Sequence, residues 1–360
     1  MTSADPRVGS AIEHWAPRFI ANGIDYNDFQ TTLARIERWE RWCAEWSRTA
    51  ARHKQLAREA EGRDSPPSAG EAYARAALCY HFGKFLFFED MDQLRAATAA
   101  TARNYQRAAP LLDPPAERVS IPYAGTSLPG YLRVPRQAER PPVVLLLAGL
   151  DSVKEEFGTF EPLFLRRGVA TLAFDGPGQG ESEFDLPIEP AFEKAVAAAV
   201  EWIATRSDLD GSRVGAAGVS LGGYYASRAA AFEPRLSCAV AIGGPYDFAE
   251  GFDHLPALTQ EAFRVRSHSP DLATARRRAA ALTLREAARR IEMAFLIVFG
   301  KQDRLIPYQQ AERLFAEMPA ARKRLELYPD GNHVCNNMPY AYRPLVADWV
   351  AEQLGAGRVV

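Results

Sequence analysis

The chain has 360 residues, of which 47% are hydrophobic and 24% are charged, and its formal net charge at pH 7 is −2. This balance is ordinary for a globular protein and gives no reason to expect nucleic acid or an anionic membrane surface as a partner. The length is enough for one large α/β domain together with an accessory domain.

Residues 1 to about 112 have the pattern of helices. Trp39, Trp42 and Trp46 fall at positions i, i+3 and i+7, which places them on one face of a helix. An aromatic stripe of this kind is more typical of core packing than of a ligand site. A proline-rich segment at 110–115 then ends the helical pattern.

From residue 118 onward, short apolar runs alternate with helical segments. Repeated β–α units predict a mostly parallel sheet covered by helices on both sides, which is the α/β class. We therefore predict a helical domain over residues 1–115 and an α/β domain over 116–360. Helical sequence rich in Arg and Ala over about 245–290 interrupts the alternation. We predict that this insertion forms a lid above the carboxyl ends of the strands.

A nucleophile is predicted at Gly218-Val219-Ser220-Leu221-Gly222, a G-x-S-x-G sequence between a strand-like segment and a helix-competent one. A serine on such a sharp turn exposes its hydroxyl, and the flanking glycines tolerate the crowded backbone. Free N–H groups and a partial positive charge at the start of the following helix suit a developing oxyanion. The pattern predicts Ser220 as the nucleophile.

A serine nucleophile needs a base that takes its proton and a carboxylate that orients the base. His333 follows the predicted strand 324–328 near the C-terminus, where we expect the base. Asp303 follows an earlier strand at the same edge of the sheet, and we expect it to orient His333. Asp330 is the nearest competitor, but it is too close in sequence to reach the far ring nitrogen comfortably.

An oxyanion hole needs two backbone N–H donors. Leu221 directly follows the nucleophile and is expected to supply one of them. The loop after the predicted strand 143–148 continues as Gly149-Leu150-Asp151, and the Leu150 N–H is the expected second donor. The glycine-rich segment 175–182 also follows a strand, and we interpret it as an architectural turn.

The cysteines and the termini bear on cofactors and location. Cys43, Cys79, Cys238 and Cys335 lack the paired spacing of zinc or redox motifs, so we expect no metal and no cofactor. A low cysteine count suits a reducing compartment. The N-terminus lacks a basic-then-apolar leader, and the apolar runs are too short to span a bilayer. We therefore predict a cytoplasmic protein with no membrane partner.

Several segments carry a resemblance to a known family: the loop 149–156, the turn 175–182, the helical segment 80–87 and the loop 331–337. With the candidate serine, acid and histidine, they resemble the α/β-hydrolase superfamily. The closer resemblance is to the branch of the 2,6-dihydroxypseudooxynicotine hydrolases, the fungal polyketide-shortening hydrolases and the fermentation-respiration-switch-like esterases. It implies the α/β-hydrolase fold with a mostly parallel eight-stranded sheet and an N-terminal helical domain that closes over the site.

The resemblance also implies an activity, namely hydrolysis of a carbon–carbon bond beside a ketone in an aryl ketone or β-dicarbonyl substrate, and it implies a homodimer. An acidic side chain after the sixth strand assists in this branch, and the matching region makes Glu250 the first candidate and Asp247 the second. An acid near the leaving carbon would supply its proton. His81 and Lys84, on the N-terminal helices, are further candidates for contact with the substrate.

Two other functions remain open at this stage. A carboxylesterase or related acyl hydrolase would use the same three residues on a small aromatic or apolar ester. A non-catalytic binding protein with the same fold is the remaining alternative, although such proteins usually lose the serine or the histidine, and this chain retains both. Fold resemblance alone does not decide among these functions.

Overall fold

Helices fill the N-terminal third of the chain, as the sequence pattern predicts. The computed structural model describes residues 5–136 and 138–356. Within these ranges the helices that precede the first strand are α1 (Pro6–Ala21), α2 (Tyr26–Leu33), α3 (Trp42–Gly62), α4 (Pro66–Lys84) and α5 (Met91–Ala108).

An eight-stranded sheet forms the centre of the remaining chain, with strand order β1-β2-β4-β3-β5-β6-β7-β8. Strands β1 and β2 pair antiparallel, β2 runs antiparallel to β4, and every later pairing is parallel. The predicted α/β-hydrolase fold class is therefore confirmed. The strands are β1 (Ala116–Tyr123), β2 (Thr126–Arg133), β3 (Val143–Leu147), β4 (Ala170–Phe174), β5 (Val214–Val219), β6 (Leu236–Ile242), β7 (Ala294–Gly300) and β8 (Lys323–Tyr328).

Strands β3 to β7 are buried on both faces, which explains their continuous apolar sequence, whereas β8 at the edge of the sheet is only partly buried. Alternate residues of β3 show the arrangement: Leu145 packs in one buried cluster, and Val144 packs in the cluster on the opposite face.

The helices that follow the first strands are α6 (Glu161–Leu165), α7 (Glu193–Ala204), α8 (Leu221–Phe232), α9 (Ala257–Arg266), α10 (Leu272–Ala279), α11 (Gln309–Glu317) and α12 (Pro339–Gln353).

The tryptophan stripe lies in the core, as predicted, although its helix begins later than expected. Trp39 belongs to a short 3-10 turn that precedes α3, and Trp42 is the first residue of α3. Trp39, Trp42 and Trp46 are all fully buried. The Trp42 indole N–H donates to the carbonyl oxygen of Phe82 at 2.9 Å, which ties α3 to α4. These rings therefore hold the helical layer together.

The predicted lid leaves the sheet after β6 and returns before β7. Its two ends meet at an isolated antiparallel bridge between Asp247 and Thr283. The Leu284 N–H also donates to the carbonyl oxygen of Tyr246 at 2.8 Å, so the base of the insertion is closed. Helices α9 and α10 lie between these two ends.

Apolar packing is continuous between the N-terminal helices and the sheet. One buried cluster includes Trp15 and Phe82 from the helices together with Leu145 and Leu172 from the strands. The division into domains at residue 115 stays a prediction, because a shared core does not show whether each part folds alone.

Candidate active site

Ser220 occupies the sharp turn between β5 and α8. Its backbone has φ 58° and ψ −125°, a conformation that residues other than glycine rarely adopt. The two flanking glycines are required by close backbone contacts. A Cβ at Gly218 would lie 1.8 Å from the carbonyl oxygen of Gly222, and one at Gly222 would lie 2.1 Å from that of Leu147. The turn therefore presents the serine at the carboxyl edge of the sheet.

A chain of hydrogen bonds joins Ser220, His333 and Asp303. The His333 Nε2 lies 2.9 Å from the Ser220 Oγ, and its Nδ1 lies 2.7 Å from the Asp303 Oδ2. The other carboxylate oxygen of Asp303 accepts from the backbone N–H groups of Leu305 at 2.9 Å and Ile306 at 3.0 Å. This fixed carboxylate holds the imidazole so that its second nitrogen faces the serine hydroxyl.

The loop that carries His333 is fastened on both sides. Asn332 and Asn337 exchange hydrogen bonds, each side-chain oxygen accepting from the other's backbone N–H at 2.9 and 3.2 Å. Trp15 of α1 packs its ring edge-on against the imidazole, with ring centroids 6.0 Å apart. The helical layer therefore contacts the imidazole of the site directly.

Side chains from two other segments donate to the backbone carbonyl oxygens of the loop after β3. The Gln179 amide nitrogen donates to the carbonyl oxygens of Ala148 at 2.6 Å and Gly149 at 3.2 Å. Arg266 of α9 donates to the carbonyl oxygen of Leu150 at 2.6 Å. Because C=O and N–H point in opposite directions across a trans peptide, the bond to Gly149 turns the Leu150 N–H away from Gln179.

Two chambers meet at Ser220, His333 and Trp15, which line both of them. We call the first the aromatic chamber, because the rings of Trp15, Phe157, Phe160 and Tyr342 line it together with the polar residues Arg18, Asn22, Ser152, Glu156, Asn336 and Arg343. The second, the lid chamber, is lined by Leu150, Leu221, Phe248, Leu255, Thr259, Leu305 and Ile306.

The lid chamber combines the two expected oxyanion donors with residues of the insertion. Leu221 is the first residue of α8, so its N–H has no carbonyl partner within the helix. Thr259 of α9 is buried, and its hydroxyl has no hydrogen-bond partner among the described residues. The insertion therefore forms one wall of the space beside the serine.

Arg18 of α1 is the centre of a buried charge network beside the site. Its guanidinium donates to Asp151 at 2.6 Å and to both carboxylate oxygens of Glu156 at 2.6 and 2.7 Å. Burial raises the pKa of Glu156, but the charge and hydrogen bonds of Arg18 outweigh burial and leave that pKa well below its usual range. The pair therefore stays ionised and fastens α1 to the loop after β3.

His81 and Lys84 are buried ion-pair partners that line neither chamber. The His81 Nε2 lies 2.9 Å from the Glu156 carboxylate, and the Lys84 Nζ lies 3.1 Å from that of Glu183. Burial lowers the pKa of both groups despite these carboxylates. The structure therefore does not support the expectation of direct substrate contact, because both side chains face the interior of the protein.

Glu250 and Asp247 also lie elsewhere than expected. The Glu250 carboxylate is partly exposed and pairs with Arg313 at 3.0 Å and Arg285 at 3.3 Å, in a separate surface depression. Asp247 accepts from Thr283 and Arg285 at the base of the lid. Neither carboxylate lines the chambers at the serine, because arginine partners and the bridge at the lid base hold both of them away.

The turn after β4 does more than shape the backbone. Asp175 is fully buried and accepts from the Lys154 ammonium at 2.7 Å, while Gln179 of the same turn holds the loop after β3. Sequence reasoning missed this role of Gln179, and it also missed Trp15 and Arg18. A polar side chain inside a glycine-rich turn was the available signal for Gln179, whereas α1 carries no motif.

Neither a metal centre nor a membrane span is found in the part of the chain that the structure describes. Residues 5–136 and 138–356 contain no group of three His, Cys, Asp or Glu side chains placed to hold a metal ion. No helix within these ranges has the length and apolar character needed to cross a membrane.

The buried His81 predicts a pH dependence of stability. Because its pKa lies below the ordinary 6.5, the unfolded chain takes up a proton at this residue before the folded protein does. The free energy of unfolding therefore falls as the pH drops below 6.5. His81→Gln keeps an N–H donor for Glu156 but does not titrate, so its Tm should fall less than that of the wild type between about pH 7.5 and 5.5.

Thermal denaturation followed by circular dichroism measures both profiles. His254→Gln is the matched control, because His254 is exposed on the lid and its loss should leave the wild-type profile unchanged. Superimposable profiles for the wild type and His81→Gln would contradict a neutral, buried His81.

Comparison with known proteins agrees with this geometry. Residues 24–354 match the family model described as esterase FrsA-like. The chain is 35% identical over 344 residues to the 2,6-dihydropseudooxynicotine hydrolase of Paenarthrobacter nicotinovorans, which covers 95% of this chain and 92% of that protein. It is 34% identical over 241 residues to the alpha/beta hydrolase xenA of Xenoacremonium sinensis, covering 62% of this chain and 56% of the fungal protein.

The same relationship is visible in three dimensions. The crystal structure of the 2,6-dihydroxy-pseudo-oxynicotine hydrolase superposes with a TM-score of 0.88 at 34% identity, covering 96% of this chain and 97% of that one. The match includes the N-terminal helices as well as the sheet, since it spans nearly the whole of both chains. The chain therefore belongs to the FrsA-like esterase family of α/β hydrolases, and it is a hydrolase.

Proposed function

We propose that the protein is a serine-dependent hydrolase that cleaves a carbon–carbon bond beside a ketone. The observation that carries the proposal is the hydrogen-bonded chain from Asp303 through His333 to Ser220, which faces a partly aromatic chamber. In this mechanism His333 takes the Ser220 proton while the serine oxygen attacks the carbonyl carbon. Asp303 keeps the imidazole oriented and stabilises its cationic form.

Backbone N–H donors in the lid chamber must stabilise the negative charge that develops on the carbonyl oxygen of the substrate. We assign this role to the Leu221 N–H at the start of α8 and to the Leu150 N–H. Each such donor is worth about 3 kcal/mol of transition-state stabilisation in a site that excludes water. Gln179 acts here as a positioning residue, because its bond to the Gly149 oxygen fixes the orientation of the peptide that carries the Leu150 N–H.

Cleavage of the carbon–carbon bond leaves its electron pair on the departing carbon. The substrate must therefore delocalise that pair, as the enolate of a β-dicarbonyl compound does. His333 holds the proton taken from Ser220 and delivers it to the departing group, so no additional acid is required. Water, activated by the same imidazole, then hydrolyses the acyl group from Ser220. The similarity to a pseudooxynicotine hydrolase over 95% of the chain supports this choice of substrate class.

Hydrolysis of an ester is the second candidate function, and the match to an esterase family over residues 24–354 favours it. The same acyl-enzyme would form on Ser220, but the departing group would be an alkoxide, which His333 protonates on oxygen. The two reactions differ only in the group that leaves.

Assembly and location extend the proposal. We propose a homodimer on the strength of the resemblance to the pseudooxynicotine hydrolase branch. We also propose a cytoplasmic location, which accords with the unpaired and buried state of Cys43, Cys79, Cys238 and Cys335.

Two matched compounds test the reaction: an aryl β-diketone and the aryl ester of the same acyl group. We expect the wild type to cleave the diketone faster, and Ser220→Ala to lower that turnover by at least about 10³-fold with the fold intact. Asp303→Asn should be almost as severe, because the imidazole loses its orientation.

Steady-state kinetics with product identification separates the outcomes. Turnover of the ester alone, abolished in Ser220→Ala, would make the protein an esterase. Diketone cleavage that survives Ser220→Ala would overturn the assignment of the nucleophile.

Glu250→Gln should change kcat on the diketone by less than about twofold. The Glu250 carboxylate pairs with Arg285 and Arg313 at the surface, so its neutral analogue leaves the proton on His333 undisturbed. The measurement is kcat beside the Asp303→Asn variant. A similar loss of kcat in both variants would show that Glu250 takes part in catalysis.

Gln179→Leu should lower kcat by about 10-fold to 100-fold while changing KM little, because the Leu150 N–H loses its alignment only where negative charge develops. The leucine keeps the volume of the buried side chain, and its Tm is measured alongside the kinetics. An increase in KM with unchanged kcat would show that Gln179 shapes the chamber and does not orient the donor.

A further inference from the structure

Arg343 of α12 is a buried arginine without an ionic partner in the part of the chain that the structure describes. Arg18, Arg133 and Arg266 are buried as well, and each has a carboxylate within 3.1 Å. Arg343 is 6% exposed, but no carboxylate within residues 5–136 and 138–356 lies at ion-pair distance. The comparison within one protein shows that a buried guanidinium here normally has an anion.

Neutral groups hold Arg343 in place. Its Nη1 donates to the carbonyl oxygen of Ala21 at 3.0 Å and to the Thr159 hydroxyl at 2.7 Å. Its Nη2 donates to the Asn22 side-chain oxygen at 2.6 Å, and its Nε donates to the Tyr342 hydroxyl at 3.1 Å. A guanidinium has five N–H donors, so these four bonds leave one donor on Nη2. The Asn22 side chain also donates to Glu156 at 2.5 Å, so that carboxylate is linked to Arg343 through the amide and makes no ion pair with it.

The position of this charge suggests what compensates it. Arg343 lines the aromatic chamber, which also contains Ser220 and His333. Its guanidinium carbon lies 5.5 Å from the ring centroid of Phe160, so cation and aromatic wall are adjacent. A buried charge with no direct counterion is destabilising, and a ligand that brings the counterion would compensate it.

Asn336 adds a second polar group to the same chamber. It is 8% exposed, and no hydrogen bond of its side-chain amide to another described residue is present. It stands three residues after His333, on the loop that carries the base. Together, the amide N–H groups of Asn336 and the guanidinium of Arg343 give this chamber donors for more than one oxygen of a planar anion.

We propose that Arg343, with Asn336, forms a subsite for an anionic oxygen group on the aromatic part of the substrate, either a carboxylate or an ionised phenol. The inference rests on the proposed function only in placing this group on a substrate of Ser220. The aromatic walls hold the ring, and the guanidinium pairs with the anion and determines which aryl substrates are accepted.

A purely structural role for Arg343 predicts a different behaviour. Its four hydrogen bonds tie α12 to the end of α1 and to Thr159, and a structural clamp would affect all substrates alike. A subsite changes the ratio between charged and neutral substrates. The test therefore uses a ratio measured within each variant, which a general loss of activity or stability does not move.

The kinetic experiment uses aryl β-diketones and their ester analogues in two matched pairs that differ at one ring position. One pair carries a carboxylate or a carboxamide there, and the other carries a hydroxyl of lowered pKa or its methyl ether. For the wild type we expect kcat/KM on the anionic member of one pair to exceed that on its neutral partner by about 10-fold to 100-fold. The carboxylate and phenol pairs show which anion the subsite accepts. Arg343→Gln should bring that ratio close to one, and Arg343→Lys should retain part of it.

Arg107→Gln is the matched control, because Arg107 pairs with Glu61 on the surface of the helical layer and its loss should leave the ratio unchanged. Equal kcat/KM for both members of both pairs in the wild type, or a preference that survives Arg343→Gln, would overturn the subsite.

A binding measurement keeps this test independent of the reaction. Calorimetric titration of full-length Ser220→Ala with benzoate and benzamide, and with 4-nitrophenolate and 4-nitroanisole, reads the subsite without turnover. At least one anion should bind about 10-fold or more tightly than its neutral partner, and the added change Arg343→Gln should remove the difference. If the anion binds selectively but no compound is hydrolysed through Ser220, the proposed function fails and the subsite stands.

Discussion

The buried contact between Arg18 and Glu156 is the interaction on which the rest of the site depends. Arg18 comes from the first helix, and Glu156 lies in the segment that follows β3, 138 residues later. Removing Arg18 would leave the buried carboxylates of Asp151 and Glu156 without their arginine, which is far more costly than losing an exposed pair. The pair therefore fastens the first helix to the sheet edge, and Trp15 of the same helix packs against His333.

The same loop after β3 is held from three directions. Arg18 donates to the Asp151 carboxylate. Gln179 donates to the carbonyl oxygens of Ala148 and Gly149, and Arg266 donates to that of Leu150. These side chains come from the helical layer, the turn after β4 and the lid. An oxyanion donor is effective when it does not have to reorganise during the reaction, and a loop fixed by separate elements meets that requirement.

The sequence predicted the parts that local chemistry determines. Ser220 sits on a backbone that only a glycine-flanked turn permits, and His333 and Asp303 follow strands whose ends must meet at one edge of a parallel sheet. The strand predicted over 143–148 agrees with β3 (Val143–Leu147) to within one residue, because a run buried on both faces has a distinctive apolar sequence. These predictions need no knowledge of how distant segments pack.

The residues that sequence reasoning missed depend on packing between distant segments. Trp15, Arg18 and Arg343 come from helices whose sequences carry no motif, and their neighbours lie more than a hundred positions away. Glu250 shows the reverse error. Its position after β6 made it the first candidate for an assisting acid, but two nearby arginines hold its side chain at the surface.

The position of Glu250 also constrains the chemistry. With that carboxylate at the surface, the mechanism that we propose takes the proton for the departing group from the imidazole that received it from Ser220. Proton delivery by His333 serves carbon and oxygen leaving groups equally, because the imidazole only has to lie within reach of the departing atom. The substrate then determines whether a carbon–carbon bond or an ester is cleaved, because carbon–carbon cleavage requires a departing carbon that delocalises an electron pair. A site built in this way selects by recognising the substrate, so the walls of the two chambers, and not the serine, histidine and aspartate, determine what this hydrolase cleaves.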